Sequence, residues 1–179
     1  MRVFLSLGFD SKIRPALSDL SRTLPYFDQS IFSLVPKENY HLTLKFFGDV
    51  KTSDVDKIIS TLDPIRIQKF TFDLFGVGVF PSLSNPRVIW VGVRKNPDFS
   101  NLLGAIDASF SVFSDKKQTS FVPHVTLARL KKKFSLDKWI SSHSNFTCPS
   151  TSAISLDLVE TIISDESVSY KLLKSIDFI

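Results

Sequence analysis

Two short stretches of the chain resemble one another. Positions 39–48 read Asn-Tyr-His-Leu-Thr-Leu-Lys-Phe-Phe-Gly, and positions 121–129 read Phe-Val-Pro-His-Val-Thr-Leu-Ala-Arg. Each contains a histidine, His41 or His124, with a threonine two residues later inside an apolar run. Residues two apart on a β-strand share a face. Each stretch therefore predicts a strand that presents one imidazole and one hydroxyl on the same side.

Hydrophobic periodicity predicts further strands and helices around these two stretches. The predicted strands cover residues 2–9, 31–35, 40–47 (ended by Gly48), 70–80, 87–93, 122–130, 154–163 and 169–176, the last two forming a hairpin around Asp165-Glu166. The first predicted helix covers residues 12–24 after a cap at Asp10 or Ser11, and the second runs from a cap at Thr52 or Ser53 to Leu62. The third runs from Pro97 to Phe110 and is capped by Asn96. The fourth covers residues 136–142 and is capped by Ser135.

The arrangement of these elements predicts an α+β fold. The two His-x-Thr strands are separated by close to half the chain, and each lies between two predicted helices. This spacing indicates a duplicated plan with two related halves. Because the helices interrupt strands that look antiparallel, a doubly wound parallel sheet is disfavoured.

The composition indicates one folded domain over residues 1–179. The chain has 43% hydrophobic and 22% charged residues, which is typical of a globular protein. No stretch approaches the roughly 18 apolar residues that a membrane span requires, and residues 1–9 are interpreted as a buried strand, not a signal peptide. The single cysteine, Cys148, excludes an intrachain disulfide and fits a cytoplasmic location.

The charge and the aromatic content bear on the partner. The formal net charge of +4 suits an anionic partner such as nucleic acid. The chain contains seventeen phenylalanines and three tyrosines. Because phenylalanine favours burial, we predict that most of them form the core and do not stack on bases.

Two imidazoles in one cleft suit the cleavage of a phosphodiester. One neutral imidazole can remove a proton from the nucleophile and one imidazolium can protonate the leaving oxygen, since both titrate close to neutral pH. Hydroxyl groups of Thr43 and Thr126 could neutralise charge on the phosphoryl oxygens without a metal. A regular strand would place Lys45 on the face of His41. It would turn Arg129 away from His124 unless the strand ends or bulges first.

Other chemistries have weaker support. A zinc site needs three or four converging ligands, and the one spare histidine, His143, lies in a polar segment that predicts a surface position. The chain has no Gly-x-Ser-x-Gly motif, and Cys148 precedes Pro149 in an ordinary loop. Gly76 and Gly78 lie in a strand pattern and open no helix, so they do not form a phosphate-binding loop.

The two motifs and their flanks resemble the two-histidine (2H) phosphoesterases, specifically the RNA 2′,3′-cyclic phosphodiesterase family, also called 2′-5′ RNA ligases. The resemblance covers nearly the whole chain, including the strand segments at 76–81 and 87–93. It implies two pseudo-symmetric lobes, each an antiparallel sheet backed by helices, with the active-site groove between them. One departure is the Ser167-Val168-Ser169 segment, where the family often has glycine before the position of Tyr170.

The resemblance also implies roles for individual residues. His124 matches the general base (proton acceptor) that activates water, and His41 matches the general acid (proton donor) for the departing 3′ oxygen. Thr43, Thr126 and Arg129 match the residues that hold the phosphate. The implied reaction opens a 2′,3′-cyclic phosphate at an RNA end or on a nucleotide to a 2′-phosphomonoester, without metal or cofactor. Joining of 2′-5′ linked RNA ends is a related activity, and we expect a monomer.

A second hypothesis from another class stays open at this point. A noncatalytic RNA-binding module could use the same groove, since the positive charge and the phenylalanine-rich strands allow it. Such a module would keep its RNA affinity without either imidazole and lose it steeply with salt. The matched histidines favour the enzyme.

Overall fold

The computed structural model of the protein describes residues 1–24, 28–113, 121–163 and 168–179. Its strands are β1 (Arg2–Phe9), β2 (Phe32–Leu34), β3 (Leu42–Asp49), β4 (Phe70–Phe72), β5 (Leu74–Phe80), β6 (Val88–Val93), β7 (His124–Leu130), β8 (Thr151–Ile163) and β9 (Val168–Asp177). Its α-helices are α1 (Arg14–Arg22), α2 (Thr52–Leu62), α3 (Pro97–Ser109) and α4 (Asp137–His143). Short 3-10 turns cover Ser11–Ile13, Lys37–Asn39 and Ser111–Phe113.

The strands pair antiparallel in the order β4-β8-β1-β3-β7-β6-β5, with β9 also paired to β8 and β2 also paired to β7. The α+β prediction is confirmed. One residue pair, Leu42 with Val125, joins β3 to β7 and so connects the half of the sheet around β1 to the half around β6. This narrow junction is compatible with two lobes, and the bilobal description stays a prediction.

One face of the sheet is packed into a hydrophobic core. In β1, Val3, Leu5 and Leu7 are at most 1% exposed, and they share their cluster with Leu17 of α1 and Ile58 of α2. Full burial of a side chain of this size contributes about 1.5–3 kcal/mol. Such burial fixes which face of each strand is left for a site.

The phenylalanines behave largely as predicted. Among those described, only Phe46 and Phe75 are exposed, at 56% and 36%. The guanidinium of Arg94 covers the Phe75 ring at 4.2 Å. The contact with Arg94 accounts for the exposed ring of Phe75 but not for that of Phe46.

The predicted strand over 70–80 is wrong in one respect, because it is two strands. The chain leaves β4, which pairs with β8, and enters β5, which pairs with β6 in the other half of the sheet. The break falls at Asp73, whose carbonyl accepts a hydrogen bond from Arg94 N at 2.9 Å and whose carboxylate accepts one from Ser150. Gly76 follows with a φ of 69°, beside a bulge in β5.

Several element ends also differ from the prediction. Gly48 does not end β3, which continues to Asp49 because Gly48 adopts a φ of 75° at a bulge opposite β1. The N-cap positions of α2 and α4 are Lys51 and Leu136, and neither makes a side-chain capping bond. The predicted serine and threonine caps there are therefore wrong.

Two predicted caps are confirmed. Asn96 Oδ1 accepts hydrogen bonds from the backbone N–H groups of Asp98 and Phe99 at 2.9 and 3.1 Å, with Pro97 in the first turn of α3. Asp10 accepts from Lys12 N and starts the turn that leads into α1. The β8–β9 pairing is also confirmed by the pair Ile163 with Val168. The predicted turn at Asp165-Glu166 and Ser167 of the departing segment lie outside the described residues, whereas Val168 and Ser169 of that segment belong to β9.

Candidate active site

The junction between the two halves of the sheet sets the directions of both motifs. Leu42 and Val125 are opposite one another, and both are fully buried in the core. Their neighbours in each strand must then point to the other face of the sheet. The histidine and the threonine of each motif are those neighbours, so the four side chains share the face away from the core.

The antiparallel register across this junction places each histidine beside the threonine of the other motif. Leu42 is opposite Val125, so in an antiparallel arrangement the positions next along are His41 beside Thr126 and Thr43 beside His124. The two imidazoles are close enough for the charge of His124 to lower the pKa of His41. Thr43 is buried and Thr126 half-buried. The structure thus brings together the four motif residues that the sequence singles out.

His41 is held by its own backbone and by two aromatic rings. Its Nδ1 is 2.7 Å from the carbonyl oxygen of Asn39. The Phe4 ring from β1 and the Tyr170 ring from β9 have centroids 5.1 and 4.9 Å from the imidazole centroid. Because a carbonyl can only accept, Nδ1 carries a proton and Nε2 is the nitrogen that can accept or deliver one.

His124 has a matching environment in the other half of the sheet. Its Nδ1 is 2.7 Å from the carbonyl oxygen of Val122, again two residues earlier. The rings of Phe80 from β5 and Trp90 from β6 lie 4.9 and 6.0 Å away by their centroids. Each motif therefore fixes the same tautomer and leaves Nε2 available to accept or deliver a proton.

Burial lowers the pKa of both imidazoles below the ordinary value of 6.5. Loss of hydration is the largest cause at His41 and at His124, and the hydrogen bond to the backbone carbonyl partly opposes it in each case. The positive charge of Arg129 lowers the pKa of both rings further. Since one cation acts on both imidazoles, the two rings and the guanidinium belong to one site.

A β-bulge in β7 determines the face of the strand on which Arg129 lies. β7 pairs with β6 through Trp90 opposite Thr126 and Ile89 opposite Ala128, so Leu127 is an extra residue without a partner. The extra residue reverses the alternation of faces beyond it. Arg129 consequently lies on the face of His124, and with His41 it lines the groove between the halves. A regular strand would have turned it away.

An equivalent bulge corrects the prediction for Lys45. In β3, Thr43 is opposite Ser6 while Lys45 is opposite Leu5, so Leu44 is the extra residue. Lys45 turns into the core side, where it is 4% exposed and its Nζ is 2.8 Å from Asp107 of α3. It therefore ties α3 to β3 and adds no charge to the groove, contrary to the prediction from regular alternation.

The bulge in β3 brings Phe46 into the groove instead. Phe46 is opposite Phe4, with ring centroids 5.8 Å apart, and it follows His41 by the same number of residues as Arg129 follows His124. The cavity has a volume of about 550 Å³ and is lined by His41, Asn39, Arg129, Phe4, Phe46 and Tyr170 among others. The aromatic residues were not predicted as site residues. Their signal in the sequence is weak, because phenylalanines are common throughout this chain.

Arg14 supports the turn that precedes His41. Its guanidinium donates to the carbonyl oxygens of Lys37 and Glu38 at 2.6 and 3.0 Å. These residues form the 3-10 turn that ends at Asn39, whose carbonyl accepts from His41. Arg14 is therefore a positioning residue that sequence patterns did not reveal.

His143 lies outside the groove. It stacks on Trp139 with ring centroids 4.7 Å apart, and Nδ1 is 2.8 Å from the Trp139 carbonyl oxygen. Nε2 contacts the Thr23 hydroxyl at 3.3 Å. It is half-buried, so the predicted surface position is only partly right: stacking on Trp139 covers one face of the ring.

The other chemistries considered find little support in the described residues. Within these ranges, no three histidine, cysteine or acidic side chains converge to hold a metal ion. Burial raises the pKa of the Cys148 thiol to about 11, so its reactive thiolate is scarce at neutral pH. Among the described helices, none has the length and apolarity to cross a bilayer.

Comparison with known proteins identifies relatives of this chain. A family model described as "LigT like Phosphoesterase" matches residues 7–90, which include the first motif. The RNA 2′,3′-cyclic phosphodiesterase of Methanothermobacter thermautotrophicus is 34% identical over 140 residues, covering 77% of this chain and 76% of that protein. The Escherichia coli protein of the same name is 30% identical over 133 residues, covering 72% and 71%.

Solved structures share the fold. TT0787 of Thermus thermophilus has a TM-score of 0.83 at 21% identity and covers 99% of this chain and 97% of its own. Apo LigT from Escherichia coli has a TM-score of 0.75 at 21% identity and covers 99% and 96%. LigT complexed with 3′-AMP has a TM-score of 0.75.

The fold and the paired His-x-Thr strands define a 2H phosphoesterase. More particularly, the chain belongs to the LigT-like phosphoesterase family, whose members compared above carry the name RNA 2′,3′-cyclic phosphodiesterase, and it is a hydrolase.

Proposed function

We propose that this enzyme hydrolyses 2′,3′-cyclic phosphates at RNA ends to 2′-phosphomonoesters by acid–base catalysis with His41 and His124. One observation carries the proposal: two imidazoles, each with Nδ1 fixed by a carbonyl, lie close enough to one another and to Arg129 to feel the same charge, and His41 and Arg129 line one groove. The names of the relatives support the substrate class.

His124 is the proposed general base. Its Nε2 takes a proton from water as the water oxygen attacks phosphorus, in line with the bond from phosphorus to the 3′ oxygen. A neutral imidazole is required for this step, and burial favours the neutral form of this ring.

His41 is the proposed general acid. Its Nε2–H protonates the 3′ oxygen as the bond from that oxygen to phosphorus breaks, which leaves the phosphate on the 2′ oxygen. An anionic phosphate in the groove favours the imidazolium form and opposes the effects of burial and of Arg129. Thr43, Thr126 and Arg129 donate hydrogen bonds to the phosphoryl oxygens.

The same residues could join RNA ends. If a 5′-hydroxyl replaces water as the nucleophile, His124 takes its proton and the product is a 2′-5′ phosphodiester. This ligation needs no nucleotide cofactor, because the activated bond, from phosphorus to the 3′ oxygen, is already present in the cyclic phosphate. We include this ligation as a proposed secondary activity.

A direct assay tests the proposed hydrolysis. We expect turnover of a 12-nucleotide RNA that ends in a 2′,3′-cyclic phosphate, with a 2′-phosphomonoester as the product in ³¹P NMR. We also expect the same rate in excess EDTA, since the proposed steps use only side chains of the protein. RNA binding without turnover would contradict the proposal and favour a noncatalytic module. Loss of activity in EDTA that zinc or manganese restores would contradict the metal-free mechanism.

The shifted imidazole pKa values predict an acidic optimum for kcat/KM. Catalysis needs one neutral and one protonated imidazole, and that combination is most populated midway between the two pKa values. Both pKa values lie below the ordinary 6.5. We therefore expect a bell-shaped profile of kcat/KM with its maximum below pH 6.5, and a maximum of kcat at higher pH because bound phosphate raises an imidazole pKa. A kcat/KM maximum above pH 7 would contradict the assignment of two buried imidazoles.

A further inference from the structure

The bulge at Leu127 also sets the faces on which the residues after Arg129 lie. Beyond it, Arg129 is exposed, Leu130 is buried opposite Phe32, and Lys131 is exposed again. Regular alternation after the bulge thus places Lys131 on the same face as Arg129 and the catalytic His124. The backbone N–H of Lys131 donates to Ile31 O at 2.8 Å, which continues the pairing with the β2 segment.

A second cavity continues the groove in this direction. The groove is lined on one side by Ser33 and Leu34 of β2, and Ser33 is opposite Arg129. The same two residues line a neighbouring depression of about 270 Å³ together with Gln29, Phe32 and Lys131. The two cavities therefore share Ser33 and Leu34 of β2 as part of their lining.

Three exposed lysines, Lys131, Lys132 and Lys133, follow at the end of this path. Lys131 Nζ is 2.9 Å from the Gln29 carbonyl oxygen, which leaves ammonium protons for another acceptor. None of the ion pairs between described residues engages the three lysines. Asp28 lies near Lys132 and offsets part of the positive charge.

We propose that the path from Arg129 over Ser33 to Lys131–Lys133, called here the β2 track, binds the RNA backbone upstream of the reacting phosphate. The inference rests on the proposed function and specifies its substrate: a single-stranded RNA end in preference to a mononucleotide. The lysines act as phosphate contacts that position the chain, and they take no part in the chemical step.

The length of the β2 track explains this preference. Lys131 is about 20 Å along β7 from His124 at the rise of a β-strand. A cyclic mononucleotide has only one phosphate, and that phosphate is held between the histidines. Only a substrate with further phosphates can reach the lysines, so their contribution to its binding depends on salt.

The test compares two substrates that share the same reacting group. One is cytidine 2′,3′-cyclic phosphate, and the other is a 12-nucleotide RNA ending in the same nucleotide. The variant carries Lys131→Gln, Lys132→Gln and Lys133→Gln, and kcat/KM is measured from 50 to 200 mM KCl. The matched control carries Lys51→Gln, Lys57→Gln and Lys69→Gln, three exposed lysines that lie just before α2, within α2 and just before β4.

We expect the β2-track variant to lose at least tenfold in kcat/KM on the RNA at 50 mM KCl. The slope of log(kcat/KM) on the RNA against log[KCl] should become shallower by about 2, since each single-strand phosphate contact contributes about 0.7 to this slope. Activity on the mononucleotide should stay within twofold of wild type, and the control should match wild type on both substrates.

The alternative outcomes are separable. An unchanged RNA rate in the β2-track variant, or an equal loss in the control, would overturn the β2 track while leaving the hydrolysis proposal intact. An equal loss on both substrates would show a structural role for the lysines and would also overturn it. If wild type turns over neither substrate, the proposed function itself fails.

Discussion

Replacing His41 or His124 with alanine is expected to lower kcat on an RNA 2′,3′-cyclic phosphate by about 10²- to 10⁴-fold, the range typical of general acid–base catalysis. Each imidazole has its Nδ1 fixed by a carbonyl and offers Nε2 for the reaction. Because the two proton transfers belong to one displacement, the double variant should lose little more than the worse single variant. Single-turnover rates with saturating substrate measure this effect on chemistry.

The third histidine provides a matched control. His143 ends α4 and contacts Trp139 and Thr23, and it belongs to neither His-x-Thr motif. We expect His143→Ala to retain kcat within about threefold. Retention of wild-type activity by the double variant His41→Ala/His124→Ala would refute two-histidine catalysis.

A substrate with an altered leaving group separates the two roles. If sulfur replaces the 3′ oxygen of the cyclic phosphate, the departing thiolate needs no proton, since a thiol has a pKa near 8.5. His41→Ala should then regain most of its activity relative to wild type, and His124→Ala should stay impaired. Rescue of His124→Ala alone would show that the acid and the base are reversed.

The sequence predicted the histidine pair because the relevant information is local. A threonine two residues after each histidine shares its face in any strand, whatever the strand pairs with. The buried residues between them, Leu42 and Val125, then fix which face that is. Both motifs could therefore be predicted to present their polar side chains together.

The bulges could not be read from the same pattern. Regular alternation places Lys45 in the groove and turns Arg129 away, and the structure shows the reverse of both. Each bulge is set by the partner strand, at Leu5 and Ser6 of β1 for one motif and at Ile89 and Trp90 of β6 for the other. A register defined by residues far away in sequence leaves no signature in the motif itself.

The break at Asp73 has a similar origin. Residues 70–80 have continuous strand character, so the sequence predicted one strand. The change of partner from β8 to β6 is a property of the sheet topology. Local propensity identifies strand residues, but it does not identify the half of the sheet to which they belong.

Replacement of Arg129 is expected to cause the second large loss of activity. Its guanidinium lines the groove with His41 and is the described cation whose charge lowers the pKa of both imidazoles. Loss of one donor that stabilises transition-state charge typically costs about 10²- to 10³-fold in kcat. We expect Arg129→Ala to fall in this range, and Arg66→Ala, which removes an exposed arginine elsewhere, to match wild type.

The pH profile distinguishes a phosphate contact from a merely structural role. Removing the cation relieves a positive charge that disfavours protonation, so the pKa of both imidazoles should rise and the kcat/KM optimum of Arg129→Ala should move to higher pH. Arg129→Lys keeps the charge and should keep the wild-type optimum. It should recover only part of kcat, because an ammonium lacks the two-pronged hydrogen bonding of guanidinium to phosphate. If Arg129→Ala lost activity with an unchanged optimum and Arg129→Lys restored nothing, the arginine would support the fold of β7 and would not act on the phosphate.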